Sequence, residues 1–307
     1  MRRRFAIPLI TLFAFLPWYW LKPEPSVNAR DAKLLSVLDL EHDDAWFGGV
    51  SGFDLTDDGQ TFHLVTDRGH RATGTIDRVK DQIRSFSISK SQPILDAHGN
   101  EREFPHTDAE GVALSPNGTV FVSFEHADRV LFYPTWESPA KWPSYTRSWR
   151  AIGNNKGLEA LAIDKTGTLY TLPEGILPGA TEALVYRRPP GGKWTQPFTI
   201  PIDAEFKPVG ADFGPDGRLY LLERGVYPFG FFSRIRSMKV KDDEVVGIIT
   251  ELETPLGRHG NLEGLAVWRA APGDLRFTMV SDDNFWFFMR SQLVEYRAQR
   301  GVAQAGQ

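Results

Sequence analysis

Eight carboxylates stand at recurring positions in this chain. Glu110, Glu159 and Glu263 each precede a small residue and an apolar pair, while Asp67, Glu125, Glu174, Glu223 and Asp282 each close an apolar, aromatic-rich run. Brought together, such groups offer two chemistries. They can supply oxygen ligands to a hard divalent cation such as Ca²⁺ or Mg²⁺, or they can repel one another until some pKa values rise and acid–base pairs form. The chain has no Cys, and its seven His never fall in an H-x-x-x-H or H-E-x-x-H spacing. Thiolate nucleophiles, zinc–sulfur sites and a helix-borne zinc site therefore have no sequence support, and oxygen ligands alone favour Ca²⁺ or Mg²⁺ over Zn²⁺. Arg68, Arg224, Lys156 and His126 are the candidates for holding an anionic substrate, with Arg258 and His259 as further basic groups that could balance the carboxylates.

One short phrase must position these groups, because it occurs five times. It begins at Ser51-Gly52, Glu110-Gly111, Glu159-Ala160, Val209-Gly210 and Glu263-Gly264, passes through a turn, and ends in an aromatic-rich strand. The turn glycines Gly59, Gly118, Gly167, Gly217 and Gly273 recur at roughly 50 to 60 residues, the period of a propeller blade. Each phrase reads as a hairpin followed by further strand-like runs such as Arg129 to Tyr133 and Ala183 to Arg187. Three or four antiparallel strands per unit make a blade, so the fold class is all-β and the architecture a β-propeller. The small residues of each first strand suit the crowded axis. Five blades are counted; a sixth requires a degenerate unit hidden between Gly59 and Gly118. The final unit lacks an outer strand, and Lys33 to Leu40 can supply it, closing the ring without a free edge.

Hairpin geometry then turns the repeat into a site. The start of a first strand lies beside the end of the second, so Glu110 should neighbour Glu125, Glu159 should neighbour Glu174, and Glu263 should neighbour Asp282 and Asp283. Asp67 and Glu223 complete a ring at one mouth of the central channel. All eight carboxylates are metal-ligand candidates, and Glu110, Glu159, Asp67 and Glu263 are the catalytic candidates. A Glu repeated in three blades also has an architectural use, accepting backbone N–H groups of the next blade. Function is therefore expected where the symmetry breaks: Asp67-Arg68, Glu223-Arg224, Asn155-Lys156, Asp108, His126 and Asp282-Asp283-Asn284. No G-x-S-x-G elbow, G-x-G-x-x-G or P-loop stands in its required context, so neither a serine nucleophile nor a nucleotide cofactor is expected.

A hydrophobic fraction of 41% with 24% charged residues belongs to a folded globular protein. The net charge of −4 offers no field for a nucleic-acid backbone, so nucleic acid is not an expected partner; a small anionic substrate would be met by Arg68, Arg224, Lys156 and His126. Arg2-Arg3-Arg4 precedes an apolar run from Phe5 to Leu21, the layout of an export signal. Residues 1–29 are read as a signal peptide, or as an anchor through residues 5–21; residues 30–300 as the propeller domain; and residues 301–307 as a disordered tail. The expected location is the periplasm or the outer face of the inner membrane. The sequence leaves the oligomeric state open.

Seven phrases in order carry a resemblance: Gly48-Gly49-Val50-Ser51-Gly52, Thr66-Asp67-Arg68-Gly69, Asp108-Ala109-Glu110-Gly111, Asn155 to Leu161, Leu222-Glu223-Arg224-Gly225, Glu263-Gly264-Leu265-Ala266 and Val280 to Phe285. Together, from about Leu34 to about Tyr296, they resemble the phytase-like family of exported bacterial proteins, also described as esterase-like activity of phytase. The resemblance implies a repeated β domain with fixed Glu and Asp positions acting on phosphate esters. Three functions compete: a metal-assisted phosphoesterase, a non-catalytic binding propeller of the cell envelope, and a lactonase or other ester hydrolase. Val209 and Ala160 depart from the repeat and count against a fully symmetric metal ring.

Overall fold

The computed structural model describes residues 29–141, 144–152, 157–175, 180–228, 230–270, 273–283 and 289–299. Residues 1–28, where the export signal is expected, together with Asn155, Lys156, Asn284 and residues 301–307, lie outside the described residues. Among the described residues no helix is long and apolar enough to cross a membrane.

Strand β1 (Lys33–Asp39) precedes five antiparallel sheets. Blade 1 holds β2 (Val50–Leu55), β3 (Thr61–Thr66), β4 (His70–Val79) and β5 (Gln82–Pro93); blade 2 holds β6 (Ala109–Leu114), β7 (Val120–Phe124) and β8 (Arg129–Tyr133). Blade 3 contains β9 (Ala160–Ile163), β10 (Leu169–Leu172), β11 (Glu182–Arg188) and β12 (Thr195–Pro201). Blade 4 contains β13 (Lys207–Phe213), β14 (Leu219–Tyr227), β15 (Gly230–Lys241) and β16 (Glu244–Glu253). Blade 5 is built from β17 (Asn261–Arg269), β18 (Leu275–Asp282), β19 (Gln292–Arg297) and, on its outer edge, β1. The pairing runs antiparallel from Lys33 opposite Arg297 to Asp39 opposite Gln292, so the N-terminal strand closes the ring as the sequence predicts. No sixth blade is hidden between Gly59 and Gly118. That interval holds the long β4–β5 hairpin and the loop that leads into β6.

The apolar residues gather in five cores, one at each junction between neighbouring blades. Blades 5 and 1 share Phe53, Phe62, Trp268 and Leu293, and blades 4 and 5 share Tyr220, Ile235, Phe277 and Met279. Burial of this kind contributes about 25 cal/mol per Å² of apolar surface, so the junctions rather than the separate sheets carry the stability.

The repeat glycine exists because the inner strands nearly touch. A Cβ on Gly52 would lie 2.7 Å from the Glu110 carbonyl oxygen in the next blade, and one on Gly210 would lie 2.3 Å from the carbonyl oxygen of Glu263. Each glycine thus packs against the backbone of the next blade's carboxylate. Gly210→Ala is expected to destabilise the protein by about 1–3 kcal/mol through this overpacking, seen as a lower melting temperature. Gly118 has left-handed backbone (φ 84°) in open space, and Gly118→Asn should cost less than about 1 kcal/mol. Equal melting temperatures for the two variants would contradict the close-approach reading.

Candidate functional site at the channel mouth

Strand register sets which side chains reach the mouth. Gly52 stands opposite Val65, Ala160 opposite Leu172, Gly210 opposite Leu222 and Gly264 opposite Val280. Two residues past those partners lie Asp67, Glu174, Arg224 and Asp282, and Val112 opposite Val122 puts Glu125 at the matching place in blade 2. The same backbone bond closes three of these corners: Asp67 N to Gly49 O, Glu125 N to Asp108 O and Glu174 N to Gly157 O, each 2.9 Å. Ahead of the repeat glycine, or of its replacement Ala160, come Ser51, Glu110, Glu159, Val209 and Glu263. The ten positions therefore carry seven carboxylates, one hydroxyl, one valine and one guanidinium.

That guanidinium corrects the expected ring. Glu223 does not reach the mouth, because neighbouring residues of a strand point to opposite faces. It is fully buried and neutralised within blade 4. Arg234 Nε donates to it at 2.9 Å, and Arg236 donates from Nε and Nη2 at 2.6 Å each. No lone pair facing the mouth is left for a metal. Arg224 takes the ring position in its place. Counting from the turn glycine would have shown this, since Gly118 to Glu125 and Gly167 to Glu174 both span seven residues, and seven from Gly217 gives Arg224.

Arg224 divides the mouth into two halves. Toward blades 3 to 5, its Nη2 donates to Glu174 Oε1 at 2.6 Å, and its Nη1 donates to Asn261 Oδ1 at 2.5 Å and to Glu263 Oε1. Asn261 also donates to Glu263 at 2.8 Å, and Lys207 Nζ lies 3.3 Å from Glu174. Burial works against the charge on Arg224, but Glu263, Glu174 and Glu159 hold its pKa above the usual arginine value. A side chain so engaged is a charge balance for the ring rather than a free arm for substrate. Asn261 and Lys207 were not marked by the repeat, because neither occupies a repeated position.

In the half formed by blades 1 and 2, burial and mutual repulsion raise the carboxylates. Asp67 is pushed up to about 7 by burial and then by Asp108, with Glu263 and Asp283 adding to the effect and Arg68 opposing it. Asp108 is pushed up to about 6 by burial and Glu125, against the pull of His126. Burial, followed by Glu159, Asp108, Glu263 and Glu125, holds Glu110 well above the carboxylate range. Glu159 is raised as strongly by burial, Glu263 and Glu174, although Arg224 opposes this. Burial also raises Glu263, against Arg224 and Asn261.

The remaining candidates fall around this centre. Arg68 is exposed beside Asp67, and Asp282 is buried at the end of β18 opposite Asn261. Asp283 Oδ1 accepts from Gly49 N at 3.2 Å. His126 has left-handed backbone (φ 61°), with Nε2 at 3.6 Å from Asp108 and Nδ1 at 3.6 Å from Glu125. Glu125 Oε1 accepts from Gly157 N at 2.9 Å, which is the cross-blade architectural use anticipated for a repeated carboxylate. His259 does not balance the ring. Its Nε2 lies 2.6 Å from the Tyr296 hydroxyl, and burial and then Arg258 lower its pKa to about 4, so it is neutral at pH 7.

The chain is similar in fold to a solved structure at low sequence identity. An exo-β-1,3-galactanase from Clostridium thermocellum superimposes with a TM-score of 0.55 at 9% identity, covering 87% of this chain and 63% of that one. The PQQ-bound aldose sugar dehydrogenase from Streptomyces coelicolor reaches a TM-score of 0.45 at 14% identity, covering 88% of this chain and 100% of that one. Virginiamycin B lyase from Staphylococcus aureus gives 0.45 at 12% identity, covering 88% and 100%. No curated protein sequence matches the chain. The profile of the phytase-like family, described as esterase-like activity of phytase, matches residues 45–285, which hold strands β2 to β18 and every mouth position described above. The chain therefore belongs to the phytase-like family.

Proposed function

We propose that the protein is an exported hydrolase of phosphate esters that works with a divalent cation held at the mouth of the propeller. The observation that carries this reading is the imbalance between the two halves. Arg224 answers Glu174 and Glu263, while Asp67, Asp108 and Glu110 crowd together with pKa values raised by burial and by one another. Buried carboxylates in this state gain from a bound cation. Ca²⁺ or Mg²⁺ suits carboxylate ligands, and its charge removes the repulsion that an acidic mouth would otherwise exert on a phosphate.

In the reaction, water adds to phosphorus and the bond from phosphorus to the ester oxygen breaks, with the departing oxygen gaining a proton. A cation held by carboxylates of the Asp67, Asp108, Glu110 and Glu125 cluster would supply activation of water and neutralisation of phosphoryl charge. Of Asp67 and Asp108, with pKa values of about 7 and about 6 in the metal-free protein, the one left off the cation would take up and return the protons. Arg68, exposed beside Asp67, is the side chain assigned to meet the anion. The basic N-terminus and the apolar run from Phe5 to Leu21 support delivery of this domain across a membrane.

The same pKa values support one other reading, in which the carboxylates hydrolyse an uncharged lactone or sugar ester by acid–base chemistry alone. A matrix of phosphomonoesters, phosphodiesters, lactones and carboxylic esters against Ca²⁺, Mg²⁺, Mn²⁺ and EDTA separates the two. The proposal expects phosphate-ester turnover that needs a cation and falls by on the order of 100-fold or more in Glu110→Gln. Lactone turnover unaffected by EDTA would select the second reading. Ligand-induced stabilisation without any turnover would make the protein a binding propeller.

A further inference from the structure

We infer that Phe104 is a specificity-determining residue of the mouth, a platform for the alcohol part of the ester, and that the substrates it selects are esters of aromatic alcohols. The inference rests on the proposed function and names the substrate class of that site. Among the described residues, the large apolar side chains with the greatest exposure are Phe104 at 68%, Tyr145 at 63% and Val226 at 58%. Strand direction puts all three on the mouth side of the propeller. Phe104 meets His126, in the turn after β7, edge to face with the ring centroids 5.3 Å apart. Ser144 pairs antiparallel with Val130 at the start of β8, so Tyr145 continues toward that same turn. Val226 lies two residues beyond Arg224 on β14 and therefore shares its face. Apolar side chains exposed singly need no explanation, but a set gathered round one acidic opening has the composition of a binding site.

Phe104 is tied to the reacting groups. His126 Nε2 lies 3.6 Å from Asp108, so one imidazole separates the exposed ring from a carboxyl of the acidic centre. On the other side, a Cβ on Gly69 would lie 2.5 Å from the Thr107 Cβ, so the chain just ahead of Asp108 packs against the turn that carries Arg68. Asp108 thus stands between an exposed ring and an exposed guanidinium. This is the order an aryl phosphate needs, with its anion toward Arg68, its phosphorus at the carboxylates and its ring on Phe104.

The platform is held before a substrate arrives. Glu103 O accepts from His106 N at 2.9 Å, and His106 O accepts from Arg129, whose guanidinium is itself seated over the Phe124 ring at 4.1 Å. A side chain on a loop fixed in this way costs little further order on binding. An aromatic partner adds an offset-stacked or edge-to-face contact to the apolar area that any ring would bury, whereas a short alkyl group supplies neither. The preference is therefore for arenes over small alkyl groups.

The test compares phenyl phosphate with methyl phosphate as substrates of the full protein with Mg²⁺ or Ca²⁺ added, and phenylphosphonate with methylphosphonate as ligands by calorimetry. Phenol is the better leaving group on any enzyme, so the readout is the change in the phenyl-to-methyl ratio on mutation. Phe104→Ala should lower that ratio by about five- to tenfold, through KM rather than kcat, and weaken phenylphosphonate binding by the same factor. Phe104→Tyr should keep both, because it keeps the ring. Val79→Ala, a change to an exposed apolar residue at the opposite end of blade 1, should alter neither. Ratios and affinities that ignore Phe104, or phenylphosphonate bound no more tightly than methylphosphonate by the wild type, would overturn the platform. A Phe104-dependent preference in binding without turnover of any ester keeps the platform and removes the hydrolase reading. Phosphate release from both esters with no dependence on Phe104 does the reverse.

Discussion

Arg224→Met is expected to lose about 3–5 kcal/mol of stability at pH 7.5, the cost of leaving buried carboxylates without their ion-pair partner. At about 2–4 °C per kcal/mol for a domain of this size, the melting temperature should fall by about 6–20 °C. The cause is specific. Arg224 meets Glu174, Glu263 and Asn261 at once, and no other described cation contacts Glu263. Arg224→Lys should recover little of the loss, because one ammonium cannot span the three acceptors that the planar guanidinium fork reaches. Arg224→Met combined with Glu263→Gln should recover part of it, since the second change removes one of the stranded charges. A single variant as stable as the wild type would mean that the mouth's charge is balanced elsewhere.

The second large effect is on pH dependence. Asp67 and Asp108 have folded-state values of about 7 and about 6, and Glu110 and Glu159 are raised well above the usual carboxylate range. Asp54, with a value of about 7, and Asp212, also raised, lie away from this mouth near the other ends of the inner strands. A carboxyl whose folded pKa lies above its unfolded value binds more protons when folded, so stability falls as pH rises between the two. His63 and His259, both lowered to about 4 by burial, act oppositely up to about pH 6.5 and are neutral above it. The metal-free protein should therefore lose stability from about pH 6.5 to 8, where the raised carboxyls outweigh the fading contribution of the histidines. Melting temperatures across that window should fall by several degrees, on the order of 5 °C. A saturating divalent cation should restore most of this at pH 8, and Glu110→Gln should flatten the slope. A metal-free protein whose stability is constant over pH 6.5–8 would contradict the crowding of uncompensated acids.

Most of the architecture was legible because it repeats. The phrase that places Gly52, Gly111, Gly210 and Gly264 reports a physical constraint, the contact of inner strands, and five occurrences gave five blades. Closure by β1 followed from the missing outer strand of the last unit. The mouth was legible wherever its side chain belongs to the repeat, as with Glu110, Glu125, Glu159, Glu174 and Glu263. It failed at Glu223, where an acid one position early in the strand satisfies the same verbal pattern but faces the other side of the sheet. Arg234 and Arg236, which neutralise it, come from β15 and are unrelated to the phrase. Asn261 and Lys207 were invisible for the related reason that pairing across blades leaves no periodic trace. Asp108 and His126 could be marked as breaks in the symmetry, yet their convergence with Glu125 depends on how β6 begins and how the chain turns after β7.

The most direct test of a cation-dependent phosphoesterase is phosphate release by one preparation measured three times: as purified, after stripping with EDTA, and after return of a divalent cation, with bound metal counted at each stage. Activity that disappears with the metal, returns with about one equivalent of it, and does not return in Glu110→Gln is the predicted result. Activity that survives complete removal of the metal, or no phosphate release from any ester at any metal content, would contradict it.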